Sequence, residues 1–191
     1  RGLVHGTGGN LSVRIGEDIV LSTPSGWSLG HMTPESIRKT TMSGEAIDAD
    51  SDLKPTKELP MHLAVYRARP DISAIVHTHS IYAVTYSCML HPGESMPPYI
   101  PSLVAKVGTV ELTPFALPAS KELGEVVSKG IRNSQAVLME NHGILAVGKT
   151  LEMAVGVAFE VEDNAKIYFL SGGKARPLPE KALSAIQASY K

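Results

Sequence analysis

The chain has 191 residues, 43% of them hydrophobic, with 18 Lys and Arg against 19 Asp and Glu. That length and apolar content suit one domain spanning 1–191, and charges so nearly cancelled exclude the basic footprint of a nucleic-acid binder. No apolar run approaches the ~20 residues of a membrane-spanning helix.

The single cysteine, Cys88, cannot form an internal disulfide and fits a reducing, cytoplasmic setting. With one Cys and seven His, any metal site must be built from histidines and carboxylates. The chain opens at Arg1, Gly2 and Leu3 without a Met or a visible signal peptide, as if a preceding helix were missing.

Strands and helices alternate along the chain. Residues 10–15 alternate polar and apolar, and 18–22 follow after a glycine-containing turn, which reads as a hairpin. A short helix is predicted after Thr33, with Pro34 in its first turn. Residues 48–52 are polar enough for a loop. Pro55 and Thr56 open a helix over 56–69 carrying Leu59, Leu63 and Tyr66, ended by Pro70. Residues 72–76 form a buried-strand candidate, 81–90 a helix, and 91–101, with four prolines, an irregular stretch. A strand is predicted over 107–112 and a helix over 120–132, with Leu123, Val126, Val127 and Ile131 on one side. Residues 136–139 and 144–147 read as strands around the turn 140–143. The longest helix is 151–170, stopped by Gly172 and Gly173. A linker at 177–179 leads to a last short helix over 180–190. Adjacent strands with helical crossovers predict a mixed sheet covered by helices.

His77 and His79 are two apart at a predicted strand end, so their side chains share a face. They are close enough to hold one ion or, alternatively, to form a hydrogen-bonded pair. His142 lies in the turn between two apolar strands. By itself it reads as part of a polar turn with Gly143 at positive φ. Yet a buried strand end has little reason to carry a histidine unless it is paired or ligating, and a catalytic zinc takes its ligands from distant parts of a chain. Glu58 is either an acid suited to a helix N-terminus or a fourth ligand or proton carrier. His62, four residues on, is expected to pack behind it, while His5, His31 and His91 are expected to be structural or exposed. Three turns rich in N–H and hydroxyl groups could hold a phosphate: Gly6 to Asn10, Thr23 to Gly26, and Pro55 to Lys57 at a helix start. Each is also readable as a plain turn, and none matches a P-loop or dinucleotide fingerprint.

Taken in order, these motifs resemble the class II aldolase/adducin family: the run from Gly6 to Arg14, Thr23-Pro24-Ser25-Gly26, Lys57-Glu58, His77-Thr78-His79 and Asn141-His142-Gly143. The resemblance spans Gly6 to about Gly173. It implies a three-layer α/β/α fold with a central mixed, largely antiparallel sheet. It implies His77, His79 and His142 as zinc ligands and Glu58 as ligand or acid/base. It also implies Gly9, Asn10, Ser25, Gly26 and Thr56, with Lys57 beside them, as a phosphate pocket. The family is usually tetrameric with sites between subunits, which makes a homotetramer the expected assembly and Tyr99 the nearest match to a tyrosine supplied by a neighbour.

Thr23 to Gly30, Lys54 to Glu58 and His77 to Ser80 look most like the 3-oxo-tetronate 4-phosphate decarboxylases of this family. The L-fuculose-phosphate aldolases carry a serine at the position of Lys57. Either chemistry breaks a carbon–carbon bond one carbon from a ketone and leaves the enediolate of dihydroxyacetone phosphate. The expected function is therefore a zinc-dependent lyase, a decarboxylase or alternatively an aldolase. The alternative of another class is a non-catalytic, adducin-like interaction domain.

Overall fold

A computed structural model describes residues 2–47 and 51–189. Its centre is an eight-stranded sheet in the order β3-β2-β1-β4-β8-β7-β6-β5. The strands are β1 (Asn10–Ile15), β2 (Ile19–Ser22), β3 (Arg38–Thr41), β4 (Ala74–Thr78), β5 (Ser95–Met96), β6 (Val110–Thr113), β7 (Ala136–Met139) and β8 (Gly143–Gly148). Every pairing is antiparallel except β6 with β7. The helices are α1 (Leu59–Ala68), α2 (Ile81–Ser87), α3 (Pro101–Lys106), α4 (Lys121–Gly130), α5 (Leu151–Leu170) and α6 (Glu180–Ser189).

The sheet is covered on both sides. On one face Ile75, Val137, Met139, Leu145 and Val147 pack against Leu59, Leu63 and Tyr66 of α1 and Leu123 and Val127 of α4. On the other, Val76, Leu138, Ile144 and Ala146 pack against Ala83 and Tyr86 of α2, Leu103 of α3 and Val157, Ala158 and Val161 of α5. Strands buried on both faces read as unbroken apolar runs, which is why β7 and β8 are apolar throughout. This is the layered α/β/α arrangement that the sequence resemblance implies.

The structure moves several sequence-based boundaries. The helix expected from Thr56 begins at Leu59, because Thr56 N–H donates to the Thr23 carbonyl and holds that segment extended. The strand expected over 72–76 runs instead from Ala74 to Thr78, continued by its pairing of His77 with Leu145 and Thr78 with Ile144. The stretch 91–101 holds the two-residue β5, and Pro101 opens α3, whose C-terminal end takes Val107 out of the expected strand. β3, Arg-Lys-Thr-Thr, has no apolar alternation to announce it; β2 recruits it through backbone pairing. The helix after Thr33 is a single 3-10 turn, Pro34–Ser36. The expected loop at 48–52 and the expected last helical residue, Tyr190, lie partly or wholly outside the described residues. Among the described residues no helix is long and apolar enough to cross a membrane.

Candidate active site

β4 and β8 end side by side, and three imidazoles meet there. His77 is fully buried on the penultimate position of β4, His79 follows one residue past the strand, and His142 immediately precedes β8. One ring nitrogen from each lies within 4.8 Å of the others, a set that could hold a metal ion. Gly143 makes this approach possible: a side chain there would fall on the Thr78 carbonyl oxygen and press on both His77 and His79. The turn's positive φ belongs to Asn141, at 53°, and not to Gly143. Glycine is needed at 143 for close approach.

Hydrogen bonding settles how His77 is presented. Its Nδ1–H donates to the Ile144 carbonyl at 2.9 Å, which turns Nε2 towards the centre of the cluster. That Nε2 sits 2.8 Å from His79 Nε2 and 3.1 Å from Glu58 Oε2. Glu58 Oε1 lies 3.4 Å from His142 Nε2. Burial, reinforced by His77, pulls His79 and His142 down to about 4, leaving both rings neutral near pH 7. Burial pushes Glu58 upward, but hydrogen bonding and charge from His77, the Asn10 amide and His142 outweigh it. The carboxyl is held well below the usual carboxylate range. The neutral rings of His79 and His142 and the Glu58 carboxylate therefore converge on His77 Nε2. Two buried atoms of this cluster, Glu58 Oε1 and His142 Nδ1, have no hydrogen-bond partner among the described residues. Buried polar atoms are rarely left so, and a divalent cation suits this donor set: neutral imidazoles beside one carboxylate.

Asn10 and His62 complete the surroundings of Glu58. Asn10 Nδ2 donates to Glu58 Oε2 at 2.9 Å, and His62, fully buried on α1, contacts Asn10 Oδ1 through Nε2 at 2.7 Å. Asn10 pairs with His77 across β1 and β4, which brings the start of β1 to the histidines. Gly9 lets the chain enter there: at φ 72°, it has the His77 carbonyl 2.7 Å from where a Cβ would stand.

The other residues expected around a phosphate assemble next door. Ser25 N–H donates to the Lys54 carbonyl and Thr56 N–H to the Thr23 carbonyl, clipping the 23–26 turn onto 54–56. Thr56 Oγ1 accepts from Glu58 N–H at 3.3 Å, tying this junction to the carboxylate. Gly26 and Lys57 are exposed, and neither N–H has an acceptor among the described residues. Asn10, in contrast, has both ends of its amide committed to Glu58 and His62. Tyr99 is on the opposite side of the sheet from α1; its recorded partners are Tyr86, Asn164 and Tyr168. His5, His31 and His91 are exposed.

Sequence reasoning passed over Ser12, whose Oγ lies 2.7 Å from His62 Nδ1 and 2.9 Å from the Tyr66 hydroxyl. The available signal was a pair of matched polar stripes: Asn10 and Ser12 two apart on a strand, and Glu58, His62 and Tyr66 four apart towards and along a helix.

Comparison with known proteins follows the same lines. The family model described as Class II Aldolase and Adducin N-terminal domain matches residues 1–169. The chain is 38% identical over 176 residues to a 3-oxo-tetronate 4-phosphate decarboxylase of Pectobacterium atrosepticum, covering 91% of this chain and 79% of that protein. It is 35% identical over 170 residues to an L-fuculose phosphate aldolase of Methanococcus maripaludis, covering 89% of each. Among solved structures, an L-fuculose 1-phosphate aldolase superposes with a TM-score of 0.88 at 33% identity, over 98% of this chain and 88% of that one.

Proposed function

The chain belongs to the class II aldolase and adducin family, and from that premise we propose that it is a metal-dependent carbon–carbon lyase acting on a phosphorylated keto-sugar or keto-sugar acid. The observation that carries this reading is the convergence of His77, His79 and His142 on the buried Glu58 carboxylate. His77, His79 and His142 would hold the cation, which we take to be zinc because three imidazoles suit it. A cation held there supplies Lewis acidity to the ketone oxygen of the substrate.

The remaining steps belong to the protein. Ser25, Gly26, Thr56 and Lys57 bind the phosphate, with Gly9 and Asn10 as the wall between that pocket and the carboxylate. Glu58 moves the proton. For a 3-oxo-tetronate 4-phosphate, the C1–C2 bond breaks, carbon dioxide leaves, and the electron pair stays on C2 and C3 as an enediolate. Glu58, ionised at rest, relays a solvent proton to C2 without accumulating the protonated form that its surroundings disfavour, giving dihydroxyacetone phosphate with net uptake of one proton. Such positioned proton transfer contributes typically ~10²–10⁴-fold. The preference for decarboxylation over aldol cleavage rests on Lys57, the Trp27 to Gly30 segment and the lack of a clear match to the aldolases' catalytic tyrosine. Aldol cleavage of the L-fuculose phosphate type is the second reading, favoured by aldolase relatives of nearly equal identity. The relatives carry enzyme names, and nothing supports a non-catalytic, adducin-like role.

We also propose a homotetramer, as the family resemblance implies, with Tyr99 or another tyrosine reaching a neighbour's site. Phe115 and Leu117, 54% and 66% exposed, flank this region because Phe115 N–H donates to Glu140, two residues before His142. Such exposed apolar residues suit a subunit contact. Light scattering at assay concentration tests it; a fully active monomer refutes it.

The deciding experiment measures metal content of chelator-free protein, then offers both substrates. One divalent ion per chain, with carbon dioxide and dihydroxyacetone phosphate from the tetronate phosphate, is the expected result. Lactaldehyde from fuculose phosphate, with no carbon dioxide from either tetronate epimer, would move the protein to the aldolases.

A further inference from the structure

We propose that His62 is a positioning residue: acting through Asn10, it anchors the far end of the amide that donates to Glu58 and so aims the proton-carrying carboxylate. The inference rests on the reading of Glu58 as proton carrier.

A continuous buried chain of contacts runs from Tyr66 to that carboxylate. The Tyr66 hydroxyl lies 2.9 Å from Ser12 Oγ, Ser12 Oγ 2.7 Å from His62 Nδ1, His62 Nε2 2.7 Å from Asn10 Oδ1, and Asn10 Nδ2 2.9 Å from Glu58 Oε2. All five residues are buried. The direction of donation follows from the end on Glu58. An ionised carboxylate only accepts, so the Asn10 NH₂ faces it and Oδ1 faces away. Oδ1 then needs a donor, which makes Nε2 the protonated nitrogen of His62. His62 Nδ1 is left to accept from the Ser12 hydroxyl, and Ser12 Oγ to accept from Tyr66.

Every link donates towards Glu58, and chains so aligned polarise one another. Burial keeps the participants in the needed forms: it pulls His62 down to about 3, so the ring stays neutral, and pushes the Tyr66 hydroxyl upward, so it keeps its proton. The opposite amide orientation would set the Asn10 carbonyl against an ionised carboxylate. The carboxylate thus sets the orientation, and the N–H of His62 holds the amide there by giving Oδ1 its donor.

The geometry also explains why β1 and α1 meet through polar side chains. Asn10 and Ser12 pair with His77 and Ile75 of β4 and project to the α1 side. Beneath α1 and α4 that face of the sheet is apolar at Ile75, Val137, Met139, Leu145 and Val147, and an unmatched polar group beside them would be costly. The five side chains bond to one another, with the Tyr66 hydroxyl also 3.4 Å from the Ser73 carbonyl, and the only charge in the row is the one at its end.

The test compares His62→Phe, His62→Gln and Ser12→Ala in the metal-loaded holoenzyme, with kcat and KM for the phosphorylated substrate. The Asn10 side-chain amide signals are followed by ¹⁵N NMR in the metal-free protein. His62→Phe should lower kcat ~10–100-fold, the range typical of lost outer-shell partners, with KM and metal content little changed and the Asn10 amide protons exchanging faster. His62→Gln, which keeps an N–H for Oδ1 and an acceptor for Ser12, should restore kcat to within about threefold. Ser12→Ala should fall between, and serves alone if His62→Phe does not fold. Wild-type kcat in His62→Phe or Ser12→Ala, or no rescue by Gln, overturns the proposal. So does a change in KM alone. The amide signals read the chain without turnover: an unmoved Asn10 amide in His62→Phe defeats this proposal, whereas an active Glu58→Gln defeats the reading of Glu58 instead.

Discussion

Two buried polar groups sit on opposite faces of the sheet, and they are built differently. On the α1 face, Ser12, His62, Asn10 and Glu58 bond side chain to side chain and end at the histidines. On the α5 face, Glu162 and Asn164 bond side chain to backbone: Glu162 accepts from Tyr82 and Ala83 N–H at the start of α2, while Asn164 accepts from Tyr99 N–H and donates to the Pro97 carbonyl. Side chains that bind backbone secure the path of the chain. Side chains that bind one another fix the orientation of a chemical group, and they do so beside atoms that still lack partners. The first arrangement serves stability and the second function. Substitutions on the two faces should separate accordingly.

The largest effect is expected where the histidines meet. His142→Ala should lose stoichiometric metal and nearly all turnover while the sheet stays folded, read by elemental analysis and circular dichroism. Retained stoichiometric metal would remove His142 from the ligand set. Glu58→Gln comes next: it keeps the shape and one acceptor for Asn10 but cannot carry the proton, so kcat should fall ~10²–10⁴-fold with phosphate binding preserved. Near-normal turnover would take Glu58 out of the mechanism.

Glu162→Ala should behave in the opposite way. It leaves two amides at the start of α2 without their acceptor, which costs about 1–3 kcal/mol for each buried group left unsatisfied. Denaturant unfolding should report the loss, with kcat per folded molecule near that of the parent. If stability held and turnover collapsed instead, the division of labour between the two faces would be wrong.

The same contrast governs what the sequence discloses. α5 is readable to the residue because Thr150 caps its start, accepting from Met153 N–H, and Ser171, Gly172 and Gly173 end it. β7 and β8 are readable because burial on both faces leaves apolar runs. The three histidines are readable because pairs at spacing two share a face and the third interrupts an apolar hairpin. The orientation of the Asn10 amide is not readable: its residue type says only that it has a donor and an acceptor, and here both go to partners about fifty residues away. Ser12 passes for an outward residue of an amphipathic strand until α1 is laid over it. β3 and α3 escape for a simpler reason, being short elements formed by a neighbour's edge and by a single proline.

The smallest effect sharpens the last open point, the partner of Lys57. This side chain is exposed, on a segment that Thr56 anchors to the 23–26 turn and joins to Glu58. Exposed ion pairs are worth about 0.2–1 kcal/mol, which corresponds to at most about a fivefold change. If Lys57 meets the phosphate, that contact is the same before and during bond breaking, so it supports binding uniformly. Lys57→Gln should then raise KM by up to about fivefold, leave kcat alone, and lose even that effect in 1 M salt, where the screening length falls to ~3 Å. If Lys57 instead meets the departing carboxylate, its contact changes as that charge disappears into carbon dioxide, and a bound carboxylate is favoured over the transition state. Removing the lysine would then weaken ground-state binding more than transition-state binding, so KM would rise and kcat would rise with it. A kcat that increases in Lys57→Gln on the tetronate phosphate, but not on fuculose phosphate, would assign Lys57 to the carboxylate and leave the phosphate to Ser25, Gly26 and Thr56.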